Sequence, residues 1–150
     1  MLVTTLEELR GLAGREIAVT EWLEITQERI DKFADATEDH QWIHVDSERA
    51  ERESPYGTTI AHGFLTLSLI PKFLQESIQV AGLRMAINYG LNRVRFPSAV
   101  RAGTRIRARI ILQSMRDVGD ATEVIYSITI ESQRAEKPCC VADMLARYYQ

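Results

Sequence analysis

The pattern of hydrophobic and polar positions changes character near Gln79. Before it, apolar residues recur at helical spacing or thin out into polar, irregular stretches. After it they alternate with polar ones, the period of a strand with one buried face. Thr5 followed by Glu8 has the spacing of a capping box and predicts a short helix. Ile17 to Ile25 reads as a strand, with Val19 and Trp22 as its large apolar members. Thr26 caps a helix from Gln27 to about Ala36, in which Ile30, Phe33 and Ala34 fall at helical spacing. Thr37 to Thr58 is a long polar loop with one short helix near Ser47–Arg52, and loops of that length in compact domains usually carry function. His62 to Ile78 carries Phe64, Leu65, Leu67, Leu69, Ile70, Phe73, Leu74 and Ile78, apolar around most of its girth. That predicts a buried helix, with a kink or break where Pro71 withholds its backbone donor.

From Leu83 onward four strands are predicted. Leu83, Met85, Ile87 and Tyr89 form the apolar row of the first, and Ile106, Ala108, Ile110 and Leu112 that of the second. Val124, Tyr126, Ile128 and Ile130 mark the third, and Cys140, Ala142, Met144, Ala146 and Tyr148 the fourth. Val118-Gly119-Asp120 is a hairpin turn signal. One polar face per strand fits an antiparallel sheet with one wet side. A buried helix followed by consecutive antiparallel strands is an α+β layout, in which the sheet can wrap the helix.

Length and composition narrow this further. A chain of 150 residues without a linker or a repeat reads as one domain, residues 1–150. Hydrophobic residues at 45% supply a full core. Eighteen basic against 21 acidic residues give a net charge of −3, without the basic surplus of a nucleic-acid binder. No apolar run is long enough to span a bilayer, and Met1 to Thr5 lacks the pattern of a secretory signal, so no membrane partner and a cytoplasmic location are expected. Cys139 and Cys140 are adjacent, which disfavours a disulfide between them and reads as two reduced thiols.

The candidate chemistry concentrates around the three histidines, His40, His44 and His62. Asp39 and His44 share the polar loop, and a carboxylate beside an imidazole suits the handling of one water molecule. The alternative is that both only cap turns in solvent. Gly63 opens the buried helix, where free N–H groups suit an oxyanion or a polarised carbonyl; the competing reading is tight helix packing. His40 and His44 stand four apart, as metal ligands on a helix do, yet the glutamate of a zinc hydrolase motif is missing and no metal or cofactor is expected. The arginines from Arg101 to Arg109 read as a solvated outer face, while Arg93 and Arg95 are candidates for binding phosphates.

Three segments, Asp39 to His44, Ala61-His62-Gly63-Phe64-Leu65-Thr66-Leu67 and Val94-Arg95-Phe96-Pro97, resemble the MaoC-like dehydratases, the hot-dog-fold (R)-specific enoyl-CoA hydratases. The commonest family form of the first motif is Gly-Asp, any residue, Asn-Pro, an aliphatic residue, then His. Here Glu38 stands for the glycine and Gln41-Trp42 for the Asn-Pro, which looks like the branch related to nodulation protein N. The resemblance implies a long helix wrapped by an antiparallel sheet, and a homodimer whose sheets join edge to edge. It implies reversible syn addition of water to a trans-2-enoyl thioester of CoA or acyl carrier protein. Asp39 and His44 would then activate the water, and the Gly63 amide would polarise the thioester carbonyl; His62, Arg93 and Arg95 are further substrate-binding candidates. The alternatives on the same fold are an acyl-CoA thioesterase and a non-catalytic acyl-thioester-binding subunit of a dehydratase complex.

Overall fold

The computed structural model describes residues 1–150. In chain order the elements are β1 (Leu2–Thr4), α1 (Leu6–Arg10), β2 (Arg15–Val19), β3 (Leu23–Ile25), α2 (Gln27–Thr37), α3 (Trp42–Val45), α4 (Ser47–Glu53), α5 (Gly63–Ser68), α6 (Ile70–Ser77), β4 (Ile78–Val80), β5 (Met85–Arg95), β6 (Thr104–Val118), β7 (Ala121–Ser132) and β8 (Cys140–Tyr149). The main sheet is six-stranded and antiparallel, in the order β2-β6-β7-β8-β5 with β3 also paired to β6. A small parallel pair, β1 with β4, ties the N-terminus to the end of α6. No helix is long and apolar enough to cross a membrane.

The α5–α6 run packs one face into the sheet, while its other face, with Phe64 69% exposed beside Ser68 and Gln75, stays open in the single chain, so the all-round burial that its apolar girth predicts is only partly met. Leu65, Leu69, Ile70, Phe73 and Leu74 join one core with Ile106, Ile110, Tyr126, Ile130 and Met144. Phe73 is 1% exposed, and burial of such a side chain contributes roughly 1.5–3 kcal/mol. Shifts of register at Leu112/Ser114 and along β5–β8 are bulges that add twist and curvature to the sheet. The β6–β7 hairpin turns at Gly119, whose φ of 63° meets the demand of a tight turn at its first central position. On the outer face Arg107 and Arg109 both bond Glu131, Arg109 also reaches Glu16, and Arg107 lies 4.5 Å over Trp22. Of the arginine row, Arg107 and Arg109 are therefore paired as well as solvated.

Several boundaries differ from the sequence pattern. Ile17–Ile25 is two strands, because the Thr20 hydroxyl accepts the Ala108 N–H and interrupts the backbone ladder between them. The long helix breaks at Leu69, and Pro71 lies in the first turn of α6, where a missing N–H costs nothing. The first strand after Leu83 extends on through Arg95; it is an exposed edge, so burial imposes no clear period on it.

One backbone feature bears on the site. Glu38, which ends α2, has φ 60° and ψ 22°, the only non-glycine residue with positive φ. It occupies the position where the family pattern has glycine, directly before Asp39. A left-handed L-residue costs roughly 1–2 kcal/mol, partly offset by the greater unfolded freedom of glycine. Glu38→Gly should therefore raise stability by about 1 kcal/mol, roughly 2–4 °C in Tm, measured by thermal unfolding; an unchanged or lower Tm would show that the residue is unstrained.

Candidate active site

Three side chains from two segments meet at the N-terminus of α5. Asp39 follows the left-handed turn after α2, His44 lies in α3, and His62 immediately precedes α5. One side-chain ligand atom from each lies within 4.8 Å of the others. Two hydrogen bonds of about 2.8 Å in sequence span that distance, so one water can touch both the Asp39 carboxylate and the His44 ring. His40 is elsewhere: its Nε2 pairs with Asp35 at 2.9 Å, out in solvent.

The state of His44 follows from its neighbours. Its Nδ1 stands 2.7 Å from the Ile60 carbonyl oxygen, which can only accept. Nδ1 therefore carries the proton, and in the neutral ring Nε2 keeps its lone pair. His44 is buried, and that burial is the main cause holding its pKa below the ordinary histidine value; the Ile60 bond acts in the opposite direction. A neutral ring with Nε2 free is the form that takes a proton from water. His62 is 3% exposed and stacks on His44 at 3.8 Å with the rings 24° apart, while the Phe33 ring lies 4.9 Å from it, tilted by 54°. Its Nε2 donates to the Asp39 backbone carbonyl at 2.9 Å.

Near-parallel stacking bears on the metal reading. In-plane lone pairs of rings that are 3.8 Å apart and tilted by 24° converge far outside the roughly 2 Å of a metal–nitrogen bond. Asp39, His44 and His62 are thus close in space, yet the two rings do not suit one ion.

Beside His44 opens a cleft of about 300 Å³, lined by Ile60, Ala61, Gly63, Thr66, Phe96, Pro97, Val100 and Cys139 among others. Gly63, first in α5, has no intrahelical acceptor for its N–H, and no side chain caps that end. Its φ lies outside the left-handed region, so backbone freedom does not explain the glycine. A Cβ there would sit 3.1 Å from the Phe96 ring; close approach does explain it. Cys139 and Cys140 are free and buried, which pushes their thiols up to about 12 and about 11, unlike a nucleophile's.

Neither Asp39 nor His62 lines the cleft. Arg93 and Arg95 are exposed on β5, and the Arg95 guanidinium donates to the Val94 carbonyl. Sequence reasoning missed the Ile60 carbonyl and the contacts of Gln27 and Thr59 around His44, because an acceptor carbonyl or a helix-opening glutamine carries no sequence signal. A pH titration of the histidine ring protons by NMR should order the groups: His40 above its ordinary value, through its bond to Asp35, and His44 below. The reverse order would contradict the buried, neutral His44.

Comparison with known proteins gives the family. The MaoC like domain family matches residues 9–133. The 3-hydroxyacyl-thioester dehydratase Z of Mycobacterium tuberculosis (strain ATCC 25618 / H37Rv) is 49% identical over 94% of this chain and 93% of its own. Nodulation protein N of Rhizobium meliloti (strain 1021) is 41% identical over 95% of this chain and 89% of its own. Among solved structures, an Archaeoglobus monoamine oxidase regulatory protein superposes with a TM-score of 0.75 at 26% identity, over 92% of this chain and 91% of its own. On sequence, fold and matched length together, the chain belongs to the MaoC-like dehydratase family.

Proposed function

We propose that this protein is a hydro-lyase that reversibly adds water to trans-2-enoyl thioesters, giving (R)-3-hydroxyacyl thioesters. The observation that carries the reading is the placement of Asp39 and His44 within reach of one water, with His44 sharing a cleft with the unpartnered Gly63 N–H. The water oxygen bonds to C3 of the substrate, and a proton passes through the Asp39–His44 pair to C2. His44 Nε2 accepts as the oxygen adds. Negative charge grows on the thioester oxygen, where the Gly63 N–H stabilises it. Every step is a proton transfer or an oxygen addition, so the reaction consumes no redox equivalent. An apolar groove of about 290 Å³ further along the same helix run, lined by Pro71, Leu74, Ile78, Met144 and others, offers a bed for an acyl tail. Arg93 and Arg95, both exposed, are available to the phosphates of a CoA or carrier-protein arm. The buried free thiols support a reducing, cytoplasmic setting.

The same reading includes a homodimer. β5 ends the sheet, and Met85, Ile87 and Tyr89, 41–56% exposed, lie along it. A long apolar edge strand invites pairing, and its self-complementary partner is the β5 of a second copy. Light scattering at micromolar concentration should give twice the mass of one chain; a monomer would count against this arrangement.

Purified protein should bleach the enoyl band of crotonyl-CoA without releasing thiol. Asp39→Asn and His44→Ala should each lower kcat at least ~100-fold while leaving circular dichroism intact. The acid limb of kcat/KM should lie below pH 6.5, the ordinary histidine value, because protonation of His44 removes the acceptor at Nε2. Thiol release from crotonyl-CoA would favour a thioesterase instead. A folded variant with near-wild-type turnover would remove that residue from the chemistry.

A further inference from the structure

The backbone that carries His44 is fastened by a side chain to which the chemistry above gives no role. Gln27, the first residue of α2, lies 17 residues before His44. Its Nε2 donates to the His44 backbone carbonyl at 2.7 Å and to the Asp31 carboxylate at 2.8 Å. Its Oε1 accepts the hydroxyl of Thr59. Both partners of Nε2 are pure acceptors, so the orientation of the amide is settled.

Thr59 is 1% exposed and precedes Ile60, whose carbonyl takes the Nδ1 proton of His44. The segment around it is anchored on both sides: the Thr59 carbonyl accepts from Ala102 and the Ala61 N–H donates to Val100. The Ile60 N–H also reaches the Ile43 carbonyl at 3.1 Å. A single amide therefore joins the backbone of His44 to the residue next to the acceptor that sets its tautomer.

We propose that Gln27 is a positioning residue. With Thr59 it clamps the His44 backbone against the Ile60 carbonyl, and so holds the ring as the Nδ1–H tautomer with Nε2 presented to the water. Its catalytic consequence rests on the hydratase reading above; its tautomer consequence rests on geometry alone. A ring that turns or drifts by an ångström loses the alignment that proton transfer needs, and such losses reach about 100-fold in rate.

The test uses Gln27→Met and Thr59→Val, which keep approximate shape and remove the polar contacts. Steady-state kinetics with crotonyl-CoA are read beside long-range 1H–15N spectra of the imidazoles, in which each tautomer has its own nitrogen shifts. In Gln27→Met, kcat should fall ~10- to 100-fold, KM should change by less than about threefold, and the His44 nitrogens should move from one tautomer to an averaged pair. In a folded variant both readouts must move together; if either kcat or the tautomer stays at its wild-type value, the proposal is overturned. A rise in KM at constant kcat also overturns it, since that marks lost substrate binding. Should Gln27→Met fail to fold, Thr59→Val decides by the same two readouts. Wild-type protein inert towards crotonyl-CoA would sink the hydratase reading, while the tautomer spectra would still decide the role of Gln27.

Discussion

A helix that is apolar around its girth has to be enclosed, and the architecture follows from that demand. Phe73 and Ile70 are almost fully buried against Ile110, Tyr126 and Ile130 of a sheet curved by bulges. The sheet covers one side of the helix, leaving Phe64 on the other side exposed and the N-terminal end open, where the Gly63 N–H is left without a helical partner. The polar loop before the helix folds over that end and brings Asp39 and His44 to it. The apolar girth of α5–α6 and the polar chemistry at its tip are therefore parts of one arrangement.

Within the site, neutrality and order come from the same contacts. Burial holds His44 uncharged, and the Ile60 carbonyl decides which nitrogen keeps its proton. His62 binds the Asp39 backbone and stacks on His44, so one buried ring touches both members of the pair. The same stack gives the two imidazoles nearly parallel planes, which do not converge on one metal ion. Asp39 itself stays half-exposed, with Glu38 in a left-handed conformation immediately before it. Backbone strain next to a reacting group is a common companion of function.

Much of this was legible in the sequence, and the reason differs from part to part. The strands β6, β7 and β8 follow directly from alternation, because each has one face in the core and a more polar outer face. The capping box at Thr5 and the cap at Thr26 are local hydrogen bonds between near neighbours, so their spacing predicted them. Asp39, His44 and Gly63 were recognisable as motif residues; Asp39 lies near His44, and His44 shares a cleft with Gly63. The uncapped four-residue α3 and the parallel β1–β4 pair were not visible, since neither has the length to show a period.

What the sequence could not supply is everything that depends on partners distant along the chain. The tautomer of His44 is set by a carbonyl 16 residues away, and its backbone is held by a glutamine 17 residues away. At position 63 a Cβ would crowd the Phe96 ring, 33 residues on, whereas its own φ makes no demand for glycine. The break of Ile17–Ile25 into two strands comes from Thr20 meeting Ala108 on another strand. Periodicity, caps and motifs by themselves determined the α+β class, the helix packed on the sheet and the candidate side chains, because those are written in near-neighbour spacing. Protonation state, orientation and close approach were decided by the tertiary structure alone, because each is a contact between groups that only the folded chain brings together.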